Sequence, residues 1–272
     1  MTLLLFNGLL LSLRRGVIPF LFLLNTCSSN KMITNKKEIC TSENICLTNL
    51  VNKENNDREK VNIIEVVYGY DALCGWCYGF SKELEKAKKL LKGEVKFKLV
   101  NSGIFADQRS IPMGHISEHI KYNAPRVTQM SGIKFGKNFM RMLENVEYPY
   151  NSKKASIAVV VFREIYPEKT FEFASAIQEA FFYKGQDIQL NETYINLIER
   201  YPIDKKVFLE KLNNNYYKLK TEVEFKETES FGFTGYPSSI LIYKGKKYVI
   251  NQGYVSSEVF IRKTKEIIKQ LK

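Results

Sequence analysis

Apolar and polar positions divide the sequence into segments of different character. Residues 61–104 contain two short apolar runs, Val61–Tyr70 and Glu94–Val100, which are typical of buried β-strands. Between them, Ser81–Lys92 carries apolar residues at helical spacing and ends before a glycine. A strand, a helix and a second strand in this order predict a parallel pair joined by a right-handed crossover.

Residues 105–230 have the pattern of a mainly helical region. Ser152 is in position to cap a helix over Lys153–Ile165, which is apolar throughout Ala158–Phe162 and is therefore predicted to be buried. Three further segments each carry apolar residues along one helical stripe: Phe171–Tyr183, Asn191–Arg200 and Lys205–Leu212.

Residues 231–272 return to β-structure before a final helix. The runs Ser238–Tyr243 and Lys247–Asn251 flank a short turn that contains glycine, and together they predict a β-hairpin. A serine after the hairpin then caps the last helix. The order is therefore βαβ, a helical insertion and ββα, with residues 61–104 and 231–272 in one domain and residues 105–230 in another.

Residues 1–27 have the features of an export signal. The apolar runs on either side of Arg14–Arg15 are too short to span a membrane separately, and a central arginine costs about 2.5–3.5 kcal/mol on insertion. A positive pair before a short apolar core, Val17–Leu24, is typical of signal peptides. The sequence Leu24-Asn25-Thr26-Cys27 resembles a bacterial lipoprotein box and predicts lipidation at Cys27, with anchoring in the bacterial cell envelope or periplasm. An uncleaved anchor and an ordinary secretory signal are the alternatives.

Residues 28–60 are polar and rich in Asn, Lys and Glu. Such a composition buries too little apolar surface to offset the entropy lost on ordering, so we predict a flexible tether. Cys40 and Cys46 lie within it and are close enough in sequence for a local disulfide in an exported protein.

The cysteines are candidates for a chemical role in this globular chain. The chain has 272 residues, 44% of them hydrophobic, and its five cysteines cannot all pair with one another. Cys74 and Cys77 form a C-x-x-C between the first strand and the first helix. At a helix N-terminus the first thiol faces unpaired N–H groups and the positive end of the dipole, which stabilise its thiolate. Cys74 is therefore the predicted nucleophile, and Cys77, deeper in the helix, the resolving thiol.

A proline far along the chain marks the same site. Pro237 stands immediately before the returning strand, and a cis bond costs far less before proline than before other residues. This order of elements places the strand start opposite the C-x-x-C. There the backbone of Tyr236 can pair with an extended substrate.

These motifs resemble one known family. The sequences Asp71–Phe80 and Gly232–Pro237, with the helical insertion between them, resemble the DsbA family of thioredoxin-fold proteins, in particular its FrnE-like branch. The resemblance implies an α/β thioredoxin-like fold interrupted by a helical insertion. It also implies a thiol–disulfide oxidoreductase or isomerase that acts on protein cysteines, with the Cys74–Cys77 disulfide serving in place of a bound cofactor. By position, Pro237 is the cis-proline of the family.

Other side chains are candidates for supporting roles. Two acids could assist proton transfer: Glu65 on the first strand and Asp71 before the motif, where a turn-shaping role is the alternative. Trp76, Tyr78 and Tyr236 are predicted to give the substrate groove an apolar lining. Strongly oxidising DsbA proteins carry His between the cysteines, so Gly75–Trp76 leaves reductase and isomerase activity open.

Three alternatives compete with this interpretation. Cys74 and Cys77 with His115 and His119 have the composition of a zinc site, although the separation is longer than in compact zinc fingers. A glutathione-dependent enzyme related to kappa-class transferases shares the insertion pattern, but such relatives commonly place serine at the first cysteine. A non-catalytic binding module could retain the pair as a structural disulfide.

The net charge of +12 raises the question of nucleic acid. Lysines interspersed with glutamates, with few arginines, are more typical of a solvated surface, so no nucleic-acid partner is predicted. The predicted partners are client proteins with cysteines or disulfides, an unidentified redox partner and the membrane through the lipid at Cys27.

Overall fold

The computed structural model describes residues 63–271. It begins with β1 (Glu65–Tyr70), α1 (Gly75–Leu90) and β2 (Lys96–Asn101), and the two strands are parallel, as predicted. The sequence pattern predicted a helix from Ser81, but α1 begins at Gly75. The pattern missed the first turns because they have no polar face. Cys77, Tyr78, Gly79 and Phe80 are all buried there.

Several predictions fall outside the described residues. They concern the signal segment over residues 1–27, lipidation at Cys27, the tether over residues 28–60, and pairing of Cys40 with Cys46. Within residues 63–271, none of the helices is both long enough and apolar enough to cross a bilayer.

The insertion follows β2 and is mainly helical. Two short strands pair antiparallel within it, β3 (Ile111–Pro112) and β4 (Pro149–Tyr150). Short 3₁₀ turns separate some of the elements. The helices, which include the four predicted from the sequence, are α2 (Ser117–Ser131), α3 (Lys137–Met142), α4 (Lys153–Ile165), α5 (Thr170–Phe182), α6 (Asn191–Ile198), α7 (Lys205–Asn213) and α8 (Asn215–Glu229).

The long helix α8 has no apolar stripe, and its sequence pattern does not reveal it. Much of the side it buries is polar, including Thr221, Glu224 and Thr228. Glu224 accepts hydrogen bonds from the backbone and side-chain amides of Asn101, at 2.6 and 2.7 Å. Arg163 of α4 forms an ion pair with the same carboxylate. A helix that packs through hydrogen bonds escapes a search for hydrophobic periodicity.

The chain returns to the sheet after α8. β5 (Ser238–Tyr243) and β6 (Lys246–Gln252) form the predicted hairpin, and α9 (Ser257–Leu271) ends the described chain. Lys244 and Gly245 adopt positive φ angles of 48° and 75°, as a type I′ turn requires. The strand order is β2-β1-β5-β6, with β5 antiparallel to both of its neighbours.

One hydrophobic cluster extends from the sheet into the insertion. On the sheet side, the rings of Phe80 and Phe260 are 5.8 Å apart, and in the insertion Phe162 stacks on Phe173 with centroids 4.1 Å apart. A smaller cluster around Val67 covers the other face of the sheet. The predicted α/β fold with a helical insertion is confirmed.

Candidate active site at the end of the first strand

The backbone turns sharply after β1 and presents Cys74 at the start of α1. Cys74 is the N-cap residue, and its Sγ accepts a hydrogen bond from the backbone N–H of Cys77 at 3.2 Å. The backbone N–H of Cys74 donates to Asp71 O at 3.2 Å, which closes the turn. This thiol therefore occupies the place where an anion is stabilised by the N-terminal N–H groups of a helix.

Cys77 lies beneath Cys74 and is completely buried, whereas 8% of Cys74 is exposed. The structure places no disulfide between the two thiols. Burial raises the pKa of the Cys77 thiol, and interaction with Cys74 raises it further. The backbone N–H of Asp71 and the hydroxyl of Tyr68 oppose that shift. Cys74 is thus the more exposed thiol, as expected for the predicted nucleophile, and Cys77 does not reach solvent, as expected for the predicted resolving thiol.

The segment before β5 faces Cys74 from across the sheet. The Tyr236–Pro237 peptide bond is cis, and Tyr236 O lies 3.8 Å from Cys74 Sγ. Asn251 of β6 donates from its side-chain amide to Pro237 O at 3.2 Å and so holds this turn. Gly69 of β1 is required by close packing, because a Cβ there would lie 2.9 Å from the Tyr236 ring.

Asp71 is fully buried directly behind the motif. Its carboxylate accepts hydrogen bonds from the backbone N–H groups of Leu73 and Ile104, at 2.9 and 3.0 Å, and from Ser152 Oγ at 2.9 Å. Burial raises the pKa of this carboxyl to about 6, even though these neutral donors lower it. These hydrogen bonds tie the Asp71 side chain to the turn before Cys74 and to the insertion.

The insertion also holds the backbone of two residues between β1 and Cys74. Tyr150 of β4 donates from its hydroxyl to Leu73 O at 2.6 Å, and Gln178 of α5 donates to Asp71 O at 3.0 Å. Ser152, predicted as a helix cap, stands at the N-cap of α4, but its hydroxyl binds Asp71 instead of the helix. Sequence reasoning missed these supporting residues, because a single side-chain donor to a distant carbonyl leaves no periodic signal.

Comparison with known proteins agrees with this geometry. A profile described as a DSBA-like thioredoxin domain matches residues 65–259, which include the cysteine pair, the insertion and the turn at Pro237. The chain belongs to the DsbA-like thioredoxin family.

Solved structures share the fold of this DsbA-like chain. A candidate protein disulfide isomerase from Nitrosomonas europaea has a TM-score of 0.68 at 23% identity, over 76% of this chain and 98% of that one. The cytosolic disulfide reductase DsbM from Pseudomonas aeruginosa has a TM-score of 0.64 at 20% identity, over 76% and 99%. No curated protein matches the sequence. At these identities the likeness concerns the fold.

The predicted apolar lining is only partly present in the DsbA-like site. Trp76 is partly buried beside the pair, with its ring 6.1 Å from that of Tyr254 and 6.0 Å from the guanidinium of Arg126. Tyr236 is also partly exposed. Tyr78 is not part of the lining, because only 4% of it is exposed and its ring stacks on Phe182 in the core. Tyr78 lies one position beyond Cys77 on α1, where its side chain points into the protein core.

The remaining candidates lie away from the cysteines. Glu65 is the first residue of β1, whereas the cysteines follow the opposite end of that strand. The structure therefore does not bring Glu65 to the pair, and Asp71 is the acid that lies there. His115 and His119 are exposed in the insertion. Among residues 63–271, no group of three or more His, Cys, Asp or Glu side chains could hold a metal ion, so the alternative zinc set is not assembled there.

Proposed function

We propose that this chain is a thiol–disulfide oxidoreductase in which Cys74 and Cys77 exchange a disulfide with client proteins. The observation that carries the proposal is the position of Cys74. Its Sγ accepts an N–H at the start of α1 and faces Tyr236 O, with Cys77 buried one turn below. A lone thiol could form mixed disulfides, but a second thiol at this spacing can also resolve them.

The proposed reaction in the reductive direction has two steps. The thiolate of Cys74 attacks one sulfur of the client disulfide, so a mixed disulfide forms and the other client sulfur leaves as a thiolate. Cys77 then loses its proton and attacks Cys74 Sγ, which forms the Cys74–Cys77 bond and releases the second client thiolate. The client gains two electrons, and the pair loses two.

We propose that the client binds in extended form beside Tyr236 and Pro237. The backbone of Tyr236 lies opposite Cys74, so a peptide that pairs with it would bring its own cysteine to the nucleophile. Trp76 and Tyr236 provide apolar contacts that tolerate many sequences. This mode of binding suits unfolded or misfolded proteins with exposed cysteines.

The residues between the cysteines support a proposal for the direction of electron flow. Gly75 and Trp76 carry no charge, so the thiolate is stabilised by backbone N–H groups without an added cation. We therefore propose reduction or isomerisation rather than strong oxidation, in keeping with the FrnE-like branch. Glutathione is our candidate for the redox partner, because the Pseudomonas DsbM was also solved with GSH.

A glutathione redox titration of the Cys74/Cys77 pair tests this proposal. We expect a midpoint between about −180 and −270 mV, away from the about −120 mV of a strong oxidant. Insulin reduction and refolding of scrambled ribonuclease then measure the two directions, with Cys74→Ser as the inactive control. If neither direction shows exchange above the Cys74→Ser background, the proposed activity is wrong.

We also propose export and lipid anchoring through Cys27. The support is the sequence of residues 1–27, which precede the family match over residues 65–259. In bacterial cells labelled with palmitate, the wild-type chain should become labelled and sediment with membranes, whereas Cys27→Ser should do neither. Equal labelling of the two proteins would refute the lipid anchor and leave the redox proposal untouched.

A further inference from the structure

Asn251, near the end of β6, is tied to the turn that faces Cys74. Only 2% of Asn251 is exposed. Its side-chain nitrogen donates to Pro237 O at 3.2 Å and to Gly253 O at 2.8 Å. Pro237 O accepts a second hydrogen bond from the backbone N–H of Gly253, at 2.7 Å. One buried amide therefore links the carbonyl of the turn to the chain that leaves β6.

A β-bulge determines which way Asn251 points. Ile240 of β5 pairs with Val249 of β6, whereas the preceding residue, Ser239, pairs with Asn251. Strand β6 thus carries one extra residue at this point. Because a register shift of one residue moves a side chain to the other face of a sheet, a regular β6 would direct Asn251 away from its present face. Bulges commonly re-aim a side chain next to an active site.

The face to which the bulge directs Asn251 is the one that packs against α1. Ser239 pairs with Tyr68 of β1 as well as with Asn251, and directly paired residues share a face. The Tyr68 ring lies 5.9 Å from that of Phe80 in α1. Asn251 therefore holds Pro237 from the side of the sheet that carries the helix of the cysteine pair.

Stability alone does not account for an amide at this position. Asn251 Oδ1 is buried and has no hydrogen-bond partner among residues 63–271. A buried polar atom without a partner costs free energy, which an apolar side chain of similar size would avoid. The useful group of Asn251 is therefore its amide nitrogen, whose acceptors are Pro237 O and Gly253 O.

We propose that Asn251 is a positioning residue for client binding, which acts through Pro237 to keep the backbone of Tyr236 in place for an extended client. The proposal rests on the proposed function and deepens it. Tyr236 O lies 3.8 Å from Cys74 Sγ, so a shift of the turn would move the pairing edge relative to the nucleophile. Loss of the amide should weaken client binding and leave the sulfur chemistry intact, because the hydrogen bonds of Asn251 go to Pro237 and Gly253.

Two disulfide probes separate client binding from sulfur chemistry. One is an extended peptide whose single cysteine carries a thionitrobenzoate group, and the other is N-acetylcysteine amide with the same group. The reduced full chain is used, with Cys27, Cys40 and Cys46 replaced by serine so that only the pair reacts. The Cys74 thiolate attacks the cysteine sulfur of the probe, a new S–S bond forms, and thionitrobenzoate leaves with the electron pair as a coloured thiolate.

Stopped-flow measurement of this release gives the half-saturating peptide concentration and the limiting rate. We expect Asn251→Ala and Asn251→Leu to raise the half-saturating concentration about ten-fold, as the loss of one or two hydrogen bonds implies. Both variants lack the donor, but leucine fills the space, so the comparison does not depend on the fold tolerating a cavity. The limiting rate, and the second-order rate with the small probe, should stay within about two-fold of wild type.

Ser239→Ala is the matched control. Ser239 is the cross-strand partner of Asn251 and is fully buried, and its hydroxyl has no hydrogen-bond partner within the described part of the chain. The variant therefore changes a buried polar group on the same face without removing a hydrogen bond to Pro237, and it should bind the peptide as wild type does. Partial unfolding would be recognised separately, because fewer folded molecules lower the rates with both probes in proportion and leave the half-saturating concentration unchanged.

The outcomes separate this inference from the proposed function. If the half-saturating peptide concentration is unchanged in both Asn251 variants, raised in only one of them, or raised equally in Ser239→Ala, the positioning role of Asn251 is wrong and the oxidoreductase stands. If the two probes are slowed alike, Asn251 has only a structural role and the inference is also wrong. If wild type releases thionitrobenzoate from neither probe faster than Cys74→Ser, the proposed function fails first.

Discussion

The sheet domain and the helical insertion make different contributions to the candidate site. β1, α1 and the turn before β5 carry Cys74, Cys77 and Pro237, so the predicted reacting groups belong to the sheet domain. The insertion carries none of these groups. Yet its side chains donate the hydrogen bonds that fix the backbone just before Cys74.

This difference shows that the insertion is part of the site's support. Tyr150, Ser152 and Gln178 are almost fully buried, and each donates to the segment from Asp71 to Leu73. A buried acceptor that loses its donor costs about 1–3 kcal/mol. Removing the insertion would therefore expose hydrophobic surface and would also leave the approach to Cys74 unsupported.

The largest expected effect comes from breaking the core of the insertion. Phe162 is fully buried in α4 and stacks on Phe173, so Phe162→Ala should destabilise the protein by about 3–5 kcal/mol. Because one hydrophobic cluster includes both regions, they should unfold together. Urea unfolding followed by circular dichroism reports mainly on helices, and the fluorescence of Trp76, the only tryptophan, reports on the site.

The two signals should give the same midpoint in the wild type and in Phe162→Ala. Leu190→Ala is the control in the same region, since Leu190 is 51% exposed and its loss should change little. Two separate transitions would show that the sheet domain and the insertion unfold independently, which would contradict the expectation that their shared core makes them one cooperative unit.

A smaller effect, with a distinct pH dependence, is expected at Asp71. Burial raises the pKa of this carboxyl from 3.8 to about 6 in the folded state, so the folded protein binds its proton more tightly than the unfolded chain. The contribution of Asp71 to the free energy of unfolding therefore falls by about 3 kcal/mol as pH rises from 3.8 to about 6. Above that range the contribution stays low. Asp71→Asn cannot titrate and should gain that amount relative to wild type between pH 3.5 and pH 7.

Urea unfolding of both proteins across this pH range measures the difference. The part of the difference in unfolding free energy that does not vary with pH reports the altered hydrogen bonds to Leu73 and Ser152. The part that varies with pH reports the titration of Asp71. A difference that does not vary with pH would mean that Asp71 is ionised normally in the folded protein.

Gln178 tests the link between the regions more directly. Gln178→Ala removes the donor to Asp71 O and should destabilise the protein by about 1–2 kcal/mol. If the insertion positions Cys74, the variant should also slow attack by Cys74 several-fold in molecules that remain folded. Gln186→Ala, at a half-exposed position beyond the same helix, should change neither quantity. An unchanged rate at Cys74 would restrict the insertion to a stabilising role.

The same division determines how much the sequence could predict. Apolar runs identified β1, β2, the hairpin and α4, because these elements bury hydrophobic side chains in a regular order. The C-x-x-C and Pro237 identified the site, because local chemistry requires those residue types. Helix α8 and the donor Gln178 were not found, since their role depends on polar contacts with residues far away in sequence. Glu65 seemed a candidate by its type, and only the geometry showed that it begins the strand instead of ending it.

The smallest expected effect lies at Glu164, a carboxyl of the insertion with the opposite behaviour to Asp71. Burial alone would raise its pKa, but hydrogen bonds from Tyr217, Lys211 and Lys220 lower it from 4.5 to about 2. Its contribution to stability is thus present above pH 4.5 and is lost as pH falls toward 2, the reverse of Asp71. Because its side chain is 35% exposed, Glu164→Gln should cost less than about 1 kcal/mol at pH 7, and less still in high salt. Urea unfolding in low and high salt measures this difference. A loss as large as the gain expected for Asp71→Asn, and insensitive to salt, would mean that hydrogen bonds at the surface stabilise the Glu164 carboxylate as strongly as burial destabilises that of Asp71.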